Sequence, residues 1–445
     1  MEMGVQFSGQ VVVGEPRPDG KPLFPTQVLV AGSGHVLEVR RPTVSSPAPG
    51  DFNSARRKLT EATSLGLAPG VTMIGVAVNR IDPPFRADHV GSLLRPARLH
   101  EARASRAAGT MSAEELRSVE DETIAEAVAK LEATGMRSVT DGEFRRGWFH
   151  LDFLQQLDGV AVTGNIASSS DSAETVHMTP PKLSVDGPLR HVRDIQVDDF
   201  LYLQSIASQT PKVCIPSPTM VHFRGGRAGI DIDTYPDLEL FFEDLSSVYK
   251  QEISALYNAG CRYLQLDDTN LAYLCDPEMR QGALERGDDP DQLPLSYAQL
   301  INAAIDDRPD DLTVAVHLCR GNYRSTWFAQ GGYEPVAEVL FNELNVDAYF
   351  LEYDDERSGD FAPLRHVPQS KTVVLGLVTS KRPELETYDD LARRVDEAAA
   401  FVGSSHLCLS PQCGFASTVE GNALSEDQQW AKLNHVVEIA GRIWS

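Results

Sequence analysis

From Phe85 to the C-terminus, short strand-like runs alternate with segments that have the apolar spacing of amphipathic helices. The strand-like runs lie near residues 85–92, 137–142, 212–216, 263–267, 313–318, 348–352, 372–378 and 406–410. The helical patterns cover about 112–131, 238–259, 296–306, 335–344, 387–402 and 425–442. Strands that each lead into a helix predict an α/β chain folded as a (β/α)8 TIM barrel.

The runs are unevenly spaced, because residues 150–210 form a long insertion after the second strand. The serine-rich part of this insertion, near 167–175, is typical of a mobile surface loop. A doubly wound open sheet is the alternative architecture, but no Gly-x-Gly-x-x-Gly sequence or P-loop follows a strand. Before the first long helix, Ser112 is followed three residues later by Glu115, which predicts a capping box.

The first 80 residues differ from the rest of the chain. They contain short β-like pieces and then a probable linker, Arg-Pro-Thr-Val-Ser-Ser-Pro-Ala-Pro-Gly-Asp, but no cluster of chemically reactive side chains. We therefore predict a partly irregular N-terminal extension over residues 1–80, to which the sequence assigns no function. The catalytic barrel is predicted to cover residues 81–445.

Composition excludes several classes of function. Lys and Arg total 40 against 64 Asp and Glu, and the net charge of -24 argues against binding to nucleic acid or an anionic membrane. The chain has no secretory signal and no apolar run of about 18 residues, and its six cysteines form no CxxC motif. We expect a cytoplasmic protein with reduced thiols that acts on small molecules. The sequence leaves open whether the protein forms a homo-oligomer.

The fifth strand-like run ends in His317-Leu318-Cys319. Residues two apart on a strand face the same way, so His317 and Cys319 can bind one metal ion, and this ligand pair suits Zn²⁺. Two other runs end near suitable ligands, Glu352 and Cys413. In a barrel the carboxyl ends of the strands meet at one mouth, so these four side chains are expected to converge. The alternative is an ordinary buried His-x-Cys pair.

Such a zinc ion could be structural or catalytic. Structural zinc usually joins ligands that are close in sequence, whereas these ligands span His317 to Cys413. The fold is also large enough to be stable without a structural metal ion. An exchangeable Glu352 would open a coordination position for a substrate. Zinc rich in thiolate ligands favours a further thiol and deprotonates it at neutral pH. We therefore predict that His317, Cys319 and Cys413 form a catalytic centre for alkyl transfer to a thiol.

Other polar residues also follow predicted strands. Asp267 is the last residue of the fourth run, and we favour a role for it in ligand binding. Asp141 and Glu143 could bind a substrate or could cap the chain and pair with Arg145 and Arg146. Lys381, after the seventh run, could be solvated or catalytic. Three aromatic residues could line a flat cofactor pocket or simply pack: Trp148, Phe149 and Trp327. The other cysteines are read as buried small hydrophobes: Cys214, Cys261, Cys275 and Cys408.

Six motifs occur in order along the chain: Arg-Ala-Asp-His-Val-Gly-Ser-Leu-Leu-Arg-Pro, Thr-Asp-Gly-Glu-Phe-Arg-Arg, Leu-Gln-Leu-Asp-Asp-Thr-Asn, His-Leu-Cys, Phe-Leu-Glu and Ser-Pro-Gln-Cys-Gly. Each alone is weak, but together they are highly specific. With them the chain resembles the cobalamin-independent methionine synthase family, in its C-terminal catalytic barrel and its single-barrel paralogues. The resemblance covers roughly Pro84 to Trp444.

The resemblance implies a ligand set and a substrate site. The zinc ligands of the family correspond to His317, Cys319, Glu352 and Cys413. Its site for an amino-acid thiol corresponds to Val90, Gly91, Ser92, Glu143 and Asp267. Two carboxylates suit an α-ammonium group, and a Gly-Ser turn can offer N–H groups to a carboxylate.

The chain departs from the family on the side that would hold the methyl donor. The stretch Gly376 to Lys381 carries Thr, Ser and Lys where the family has a catalytic histidine. The strand-four motif reads Asp-Asp-Thr-Asn instead of Asp-Glu-Pro-Ala, and Pro-Ser-Pro-Thr-Met has no match for the aromatic residue after strand three. About 80 unrelated residues precede the barrel where full-length members have a second barrel.

The resemblance implies a zinc-dependent methyltransferase that passes a methyl group from a small-molecule donor, such as 5-methyltetrahydrofolate, to homocysteine. Two alternatives stay open. One is a zinc-dependent thiol alkyltransferase of the epoxyalkane–coenzyme M transferase type. The other is a non-catalytic barrel that binds zinc or thiols.

Overall fold

The computed structural model describes residues 82–163, 167–168, 178–179 and 182–445. The predicted extension over 1–80 and most of the predicted loop near 167–175 lie outside these ranges. The strands are β1 (Ser138–Val139), β2 (Asp158–Thr163), β3 (Ala167–Ser168), β4 (Met178–Thr179), β5 (Lys182–Arg190), β6 (Thr210–Pro211), β7 (Val213–Pro216), β8 (Tyr263–Asp268), β9 (Thr313–Leu318), β10 (Asn322–Tyr323), β11 (Thr326–Trp327), β12 (Ala348–Glu352), β13 (Thr372–Val378) and β14 (Leu407–Pro411). The α-helices are α1 (Ala97–Ala107), α2 (Ala113–Thr134), α3 (Leu151–Leu154), α4 (Val197–Ile206), α5 (Leu238–Asn258), α6 (Asn270–Tyr273), α7 (Pro277–Glu285), α8 (Leu293–Ile305), α9 (Ala337–Asn342), α10 (Tyr388–Val402) and α11 (Glu426–Ile443).

The centre of the fold is a six-stranded parallel sheet with the order β7-β8-β9-β12-β13-β14. A parallel bridge between Ala87 and Leu409 joins the segment after Phe85 to the β14 edge. At the other edge, β1 pairs in parallel with β6, which leads into β7. The eight predicted strand-like runs therefore follow one another in the circular order of a (β/α)8 barrel, and the predicted α/β class is confirmed.

The helices cover the sheet between successive strands, and each of the six predicted helical patterns contains one. The predicted capping box is present, because Glu115 N donates to Ser112 Oγ at 3.1 Å and Ser112 N donates to Glu115 Oε2 at 2.8 Å. Helices α1, α3, α4, α6 and α7 were not predicted. Helix α7 begins with Pro277, which is compatible with the first helical turn, and α1 follows Pro96. No helix in the ranges given above is long and apolar enough to cross a membrane.

The insertion after the second strand has structure of its own. It contains α3, the antiparallel pair β2–β5 and α4. The carboxylate of Glu252 in α5, which is fully buried, holds it in place. This carboxylate accepts hydrogen bonds from the backbone N–H groups of Ile195 and Gln196 at 2.9 and 2.8 Å and lies 2.7 Å from His191 Nε2.

A buried polar network fills the interior beneath the carboxyl ends of the strands. Lys212 Nζ lies 3.2 Å from Asp88 Oδ1 and 3.2 Å from Gln265 Oε1, and both charged side chains are fully buried. Burial by itself would raise the pKa of Asp88, but the adjacent Lys212 ammonium holds it below its ordinary value. Gln265 Nε2 then donates to Asp267 Oδ1 and to the Val90 carbonyl, each at 2.7 Å. The network thus connects the barrel interior to two predicted site residues.

Candidate metal and substrate site

Four potential metal ligands converge at the carboxyl ends of three strands of the parallel sheet, β9, β12 and β14. His317 lies in β9 and Cys319 follows it, Glu352 ends β12, and Cys413 follows β14. One donor atom from each lies within 4.8 Å of the other three, and all four residues are buried. The sulfur atoms of Cys319 and Cys413 are 3.4 Å apart. The structure therefore brings together the four ligands predicted from the sequence.

Several polar atoms of this cluster have no hydrogen-bond partner. Both ring nitrogens of His317 and Oε2 of Glu352 are buried and unsatisfied, with Arg357 Nη2 at 3.6 Å from that oxygen. Buried polar atoms without partners are rare because they cost free energy, and a bound cation would remove that cost. An imidazole, two thiols and a carboxylate are ligands that Zn²⁺ accepts. The residues therefore fit a zinc ion.

The cluster also favours release of a thiol proton. A hydrogen bond from Cys319 and the neighbouring His317 lower the pKa of Cys413 well below the ordinary thiol value, although burial opposes this shift. The same contact with Cys413 raises the pKa of Cys319. Burial would lower the pKa of His317, but Cys413, Asp267 and Glu352 raise it. Cys413 is therefore disposed to the thiolate form, which is the form that binds metals.

The Glu352 carboxylate is held in position by its surroundings. Arg320 N donates to Glu352 Oε1 at 3.0 Å, and the backbone N of Glu352 donates to Tyr333 Oη at 2.9 Å. The guanidinium of Arg357 bridges Glu352 and Asp354, at 3.6 and 3.2 Å. These contacts orient the carboxylate toward the other ligands, as second-shell groups do around metals in proteins.

Lys381 is not solvated, contrary to one of the two predictions made for it. Its side chain is 7% exposed, and Nζ lies 2.9 Å from Asp354 Oδ2. Thr379 Oγ1 donates to the same oxygen at 3.0 Å. Burial would raise the pKa of Asp354, but Lys381 and Arg357 hold it below its ordinary value. Lys381 is thus linked to Glu352 by contacts through Asp354 and Arg357.

A second cluster lies beside the metal ligands and contains two of the predicted substrate residues. Donor atoms of Glu143, Cys214 and Asp267 lie within 4.8 Å of one another. Burial and the charge of Glu143 raise the pKa of Asp267 to about 7. Cys214 was predicted to be a buried small hydrophobe, but its side chain is partly exposed and contributes to this polar cluster. A cation such as an ammonium group would be stabilised between the two carboxyl groups.

The backbone at Glu143 is unusual. Its φ of 56° is in the left-handed region, which non-glycine residues rarely adopt outside sites that require it. Asp141 Oδ1 accepts a hydrogen bond from Glu143 N at 2.8 Å, and Arg146 Nε donates to Glu143 Oε2. The structure shows the capping and the pairing, because Asp141 caps this turn and Glu143 pairs with Arg146 through one oxygen. The other oxygen of Glu143 faces the cluster, and its role in substrate binding stays a prediction.

The Val90-Gly91-Ser92 turn packs tightly against this carboxylate. A Cβ atom at Gly91, whose φ is 146°, would lie 2.6 Å from Glu143 Oε1 and 2.8 Å from Cys214 Sγ. Only glycine allows so close an approach. The Val90 carbonyl accepts from Cys214 Sγ at 3.2 Å, and Ser92 is buried. The turn therefore forms one wall of the site.

Three of the candidate metal ligands, His317, Cys319 and Cys413, share one narrow cleft with Glu143 and Asp267. Its lining residues are Val90, Ser92, Glu143, Arg146, Phe149, Asp267, His317, Cys319, Gly321, Asn322, Cys413, Gly414 and Ser417. Of the three aromatic residues considered for a flat pocket, Phe149 lines this cleft, Trp148 is buried, and Trp327 is 48% exposed on the hairpin after β9. The sequence reasoning missed Asn322, although it lies three residues after Cys319.

Comparison with known proteins matches residues 85–442 to the family model described as "Cobalamin-independent synthase, Catalytic domain". An uncharacterised Bacillus subtilis protein, YxjH, is 50% identical over 363 residues, which are 81% of this chain and 95% of the relative. A Listeria monocytogenes structure, described as a candidate vitamin-B12 independent methionine synthase, is 40% identical, with a TM-score of 0.66 over 81% of this chain and 98% of the other.

A structure of a B12-independent methionine synthase from a Shewanella species, in complex with selenomethionine, has a TM-score of 0.61. At 20% identity over 80% of this chain and 97% of the other, it supports the same fold. The family match extends over the sheet, the metal cluster and the shared cleft. This chain belongs to the cobalamin-independent methionine synthase family, through the catalytic domain of that family.

Proposed function

We propose that this protein is a zinc-dependent methyltransferase that moves a methyl group from a small-molecule donor to a thiol, with homocysteine as acceptor and methionine as product. One observation carries the proposal. His317, Cys319 and Cys413, which belong to the buried four-residue cluster with Glu352, line one cleft with the carboxyl groups of Glu143 and Asp267. An amino-acid thiol has two groups, a sulfur and an ammonium, that match these two clusters.

Residues of this chain hold the ammonium group and the α-carboxylate of the acceptor, homocysteine. Glu143 and Asp267 bind the ammonium group, and the Val90-Gly91-Ser92 turn faces the α-carboxylate. An ammonium ion beside Asp267 favours its charged form and offsets the burial that raises its pKa. The Shewanella relative binds selenomethionine, an amino acid of the same chemical class as the proposed product.

Zn²⁺ bound by the four ligands would supply a site where a thiol loses its proton at neutral pH. Arg320 and Arg357 keep the Glu352 carboxylate oriented toward that site. The acceptor sulfur attacks the methyl carbon in line, the bond between this carbon and the donor breaks, and the leaving atom keeps the electron pair. Holding both reactants in one cleft supplies much of the rate. We propose 5-methyltetrahydrofolate as the donor to test first.

The alternative with a sulfonate thiol fits the cleft less well. Coenzyme M carries no ammonium group, and its sulfonate would face the carboxyl groups of Glu143 and Asp267. Like charges in a buried site repel, so this acceptor would bind weakly. A non-catalytic zinc protein would leave those carboxyl groups without a role. In cobalt-substituted protein, a visible spectrum that homocysteine does not change would favour that alternative.

The domain boundary is part of the proposal. We assign the activity to the barrel over residues 81–445 and treat residues 1–80 as an extension outside it. A chain without residues 1–80 should keep its zinc content and activity, and loss of both in a folded, truncated protein would contradict this assignment.

The test of the proposal is methionine formation by the zinc-loaded protein from homocysteine and 5-methyltetrahydrofolate. The Cys413→Ser variant should lose zinc and more than about 100-fold of the activity, because even groups one shell outside a metal contribute that much. Cys261→Ala, which removes another buried thiol, is the matched control and should keep both. Full activity and zinc content in Cys413→Ser would overturn the assignment of the site.

A further inference from the structure

The candidate metal ligand Cys413 begins a loop that contacts both of the predicted substrate segments, and we call residues 413–418 the ligand loop. This loop lies after β14. Within it, Cys413 Sγ lies 3.9 Å from Ser417 Oγ. A shift of the ligand loop would therefore move one of the four candidate metal ligands.

The ligand loop packs against the Val90-Gly91-Ser92 turn. Phe415 N donates to the Ser92 carbonyl at 2.9 Å, and Ala416 N donates to Ser92 Oγ at 3.4 Å. A Cβ atom at Gly414 would overlap Ser92 Oγ, so only glycine allows this approach. Two consecutive backbone N–H groups of the loop are thus bound to one residue of the predicted substrate site.

Arg146 makes the second connection, between the ligand loop and Glu143. Its Nε donates to Glu143 Oε2 at 2.5 Å. Its Nη1 donates to the Ser417 carbonyl at 2.8 Å, and its Nη2 donates to the Ala416 carbonyl at 3.2 Å. A guanidinium group holds its donors in a rigid planar fork, so the carboxylate and the two carbonyl groups are held at fixed distances from one another. Arg146 therefore ties the proposed ammonium-binding carboxylate to the loop that carries Cys413.

A further guanidinium group holds the backbone on both sides of this connection. Arg95 Nη2 donates to the carbonyls of Arg146 and Glu143 at 2.6 and 2.9 Å. Arg95 Nη1 donates to the Thr418 carbonyl at 3.2 Å. A backbone bridge between Trp148 and Thr418 adds a third contact between the two segments. The turn at Glu143 and the ligand loop are therefore joined as one unit.

We propose that Arg146 is a positioning residue that couples the amino-acid site to the metal site through the ligand loop. When Cys413 holds a metal ion, the loop is fixed, and Arg146 and Ser92 are then fixed with it beside the acceptor. Coupling between two binding sites is reciprocal, so each ligand raises the affinity for the other by the same factor. This inference rests on the proposed function and adds to it that the amino acid binds most tightly once the metal is in place.

The test is the affinity for methionine, measured by calorimetry on the zinc-loaded and the zinc-free protein and expressed as the ratio of the two affinities. The wild type should bind methionine roughly tenfold more tightly with zinc, which is within the usual range for coupled sites. In Arg146→Lys the ratio should fall to about twofold or less, because one ammonium group cannot replace the planar fork. A merely structural role would lower both affinities and leave the ratio unchanged.

Two other variants accompany this test. Ser92→Ala removes the hydroxyl that accepts from Ala416 N and should lower the ratio by about twofold, because one weak hydrogen bond is lost. Arg280→Lys is the matched control and should keep the wild-type ratio. The Arg280 side chain also donates to two backbone carbonyls, of Leu274 and Pro290, but it lies on α7 and does not line the cleft.

The outcomes separate this inference from the proposed function. A wild-type protein that binds zinc and methionine with a ratio of one overturns the inference alone, and so does a wild-type ratio in folded Arg146→Lys. If Arg146→Lys does not fold, an unchanged ratio in Ser92→Ala has the same meaning. A wild type that fails to bind zinc or methionine overturns the proposed function instead.

Discussion

The two sides of the cleft are built differently. The proposed thiol side consists of strand-end residues, such as His317, Glu352 and Asp267, that are buried and held by the sheet. The other side includes the β10–β11 hairpin, which contributes Asn322 to the cleft and whose Trp327 is half exposed. Strands fix side chains more precisely than loops, whereas loops can change without disturbing the fold. Under the proposed function, the residues that bind the thiol would therefore be anchored in the barrel, whereas the hairpin beside them could vary without disturbing them.

The largest effect in this comparison is expected at Glu143. In Glu143→Gln the ammonium group loses a charged partner, so the KM for homocysteine should rise roughly 10- to 100-fold, while zinc content and donor binding stay unchanged. Glu120→Gln, which alters a buried carboxylate paired with Arg103 at 3.5 Å, is a matched control. If the donor affinity fell as much as the homocysteine affinity, the two sides would not be separate.

A smaller effect is expected at Gln265, which lies in the barrel interior beneath the substrate residues. Gln265 Nε2 donates to Asp267 Oδ1 and to the Val90 carbonyl, each at 2.7 Å, and so orients both groups. Gln265 itself does not line the cleft. Gln265→Leu should raise the KM for homocysteine about 5- to 10-fold with little change in kcat, because the positions of the binding groups are loosened. Steady-state kinetics and a melting curve check this. A fall in kcat alone would place Gln265 in a different role.

The smallest effect concerns pH and stability. Burial and Asp199 raise the pKa of Asp141 to about 6, above its ordinary value of 3.8. Because the folded state disfavours the charged form, Asp141 costs stability progressively as the pH rises from about 4 to about 6, and the cost then stays constant. Asp141→Asn keeps an acceptor for Glu143 N and removes this cost. Its melting temperature should exceed that of the wild type at about pH 8 but not at about pH 4.

An equal difference in melting temperature at both pH values would show that Asp141 titrates normally and that the turn before Glu143 is more hydrated than its burial indicates.

Sequence patterns predicted the buried half of this molecule better than the loop half. The strands that lead to Cys319, Glu352 and Cys413 are short, mostly apolar runs, so each could be recognised as a buried strand, and the shared direction of His317 and Cys319 follows from a period of two. The metal cluster could therefore be predicted before the structure. The polar surroundings of Cys214 could not be predicted, because Glu143 and Asp267 come from other parts of the chain.

The loops carry information that local patterns do not give. The β10–β11 hairpin begins three residues after Cys319, but its strands have two residues each, and its turn has neither Asn-Gly nor Asp-Gly. The loop after β14 holds that turn in place, a long-range contact that a local reading does not contain. Lys381 was left between two roles for the same reason, since its partner Asp354 follows a different strand.

The central claim is that one cleft brings the acceptor sulfur to the metal cluster while its ammonium lies on the carboxyl groups. X-ray absorption at the zinc edge tests it most directly, because it counts the sulfur neighbours of the metal. The account predicts two sulfur neighbours, from Cys319 and Cys413, in the zinc-loaded protein, and one more when homocysteine is added. A sulfur count that homocysteine leaves unchanged would contradict it.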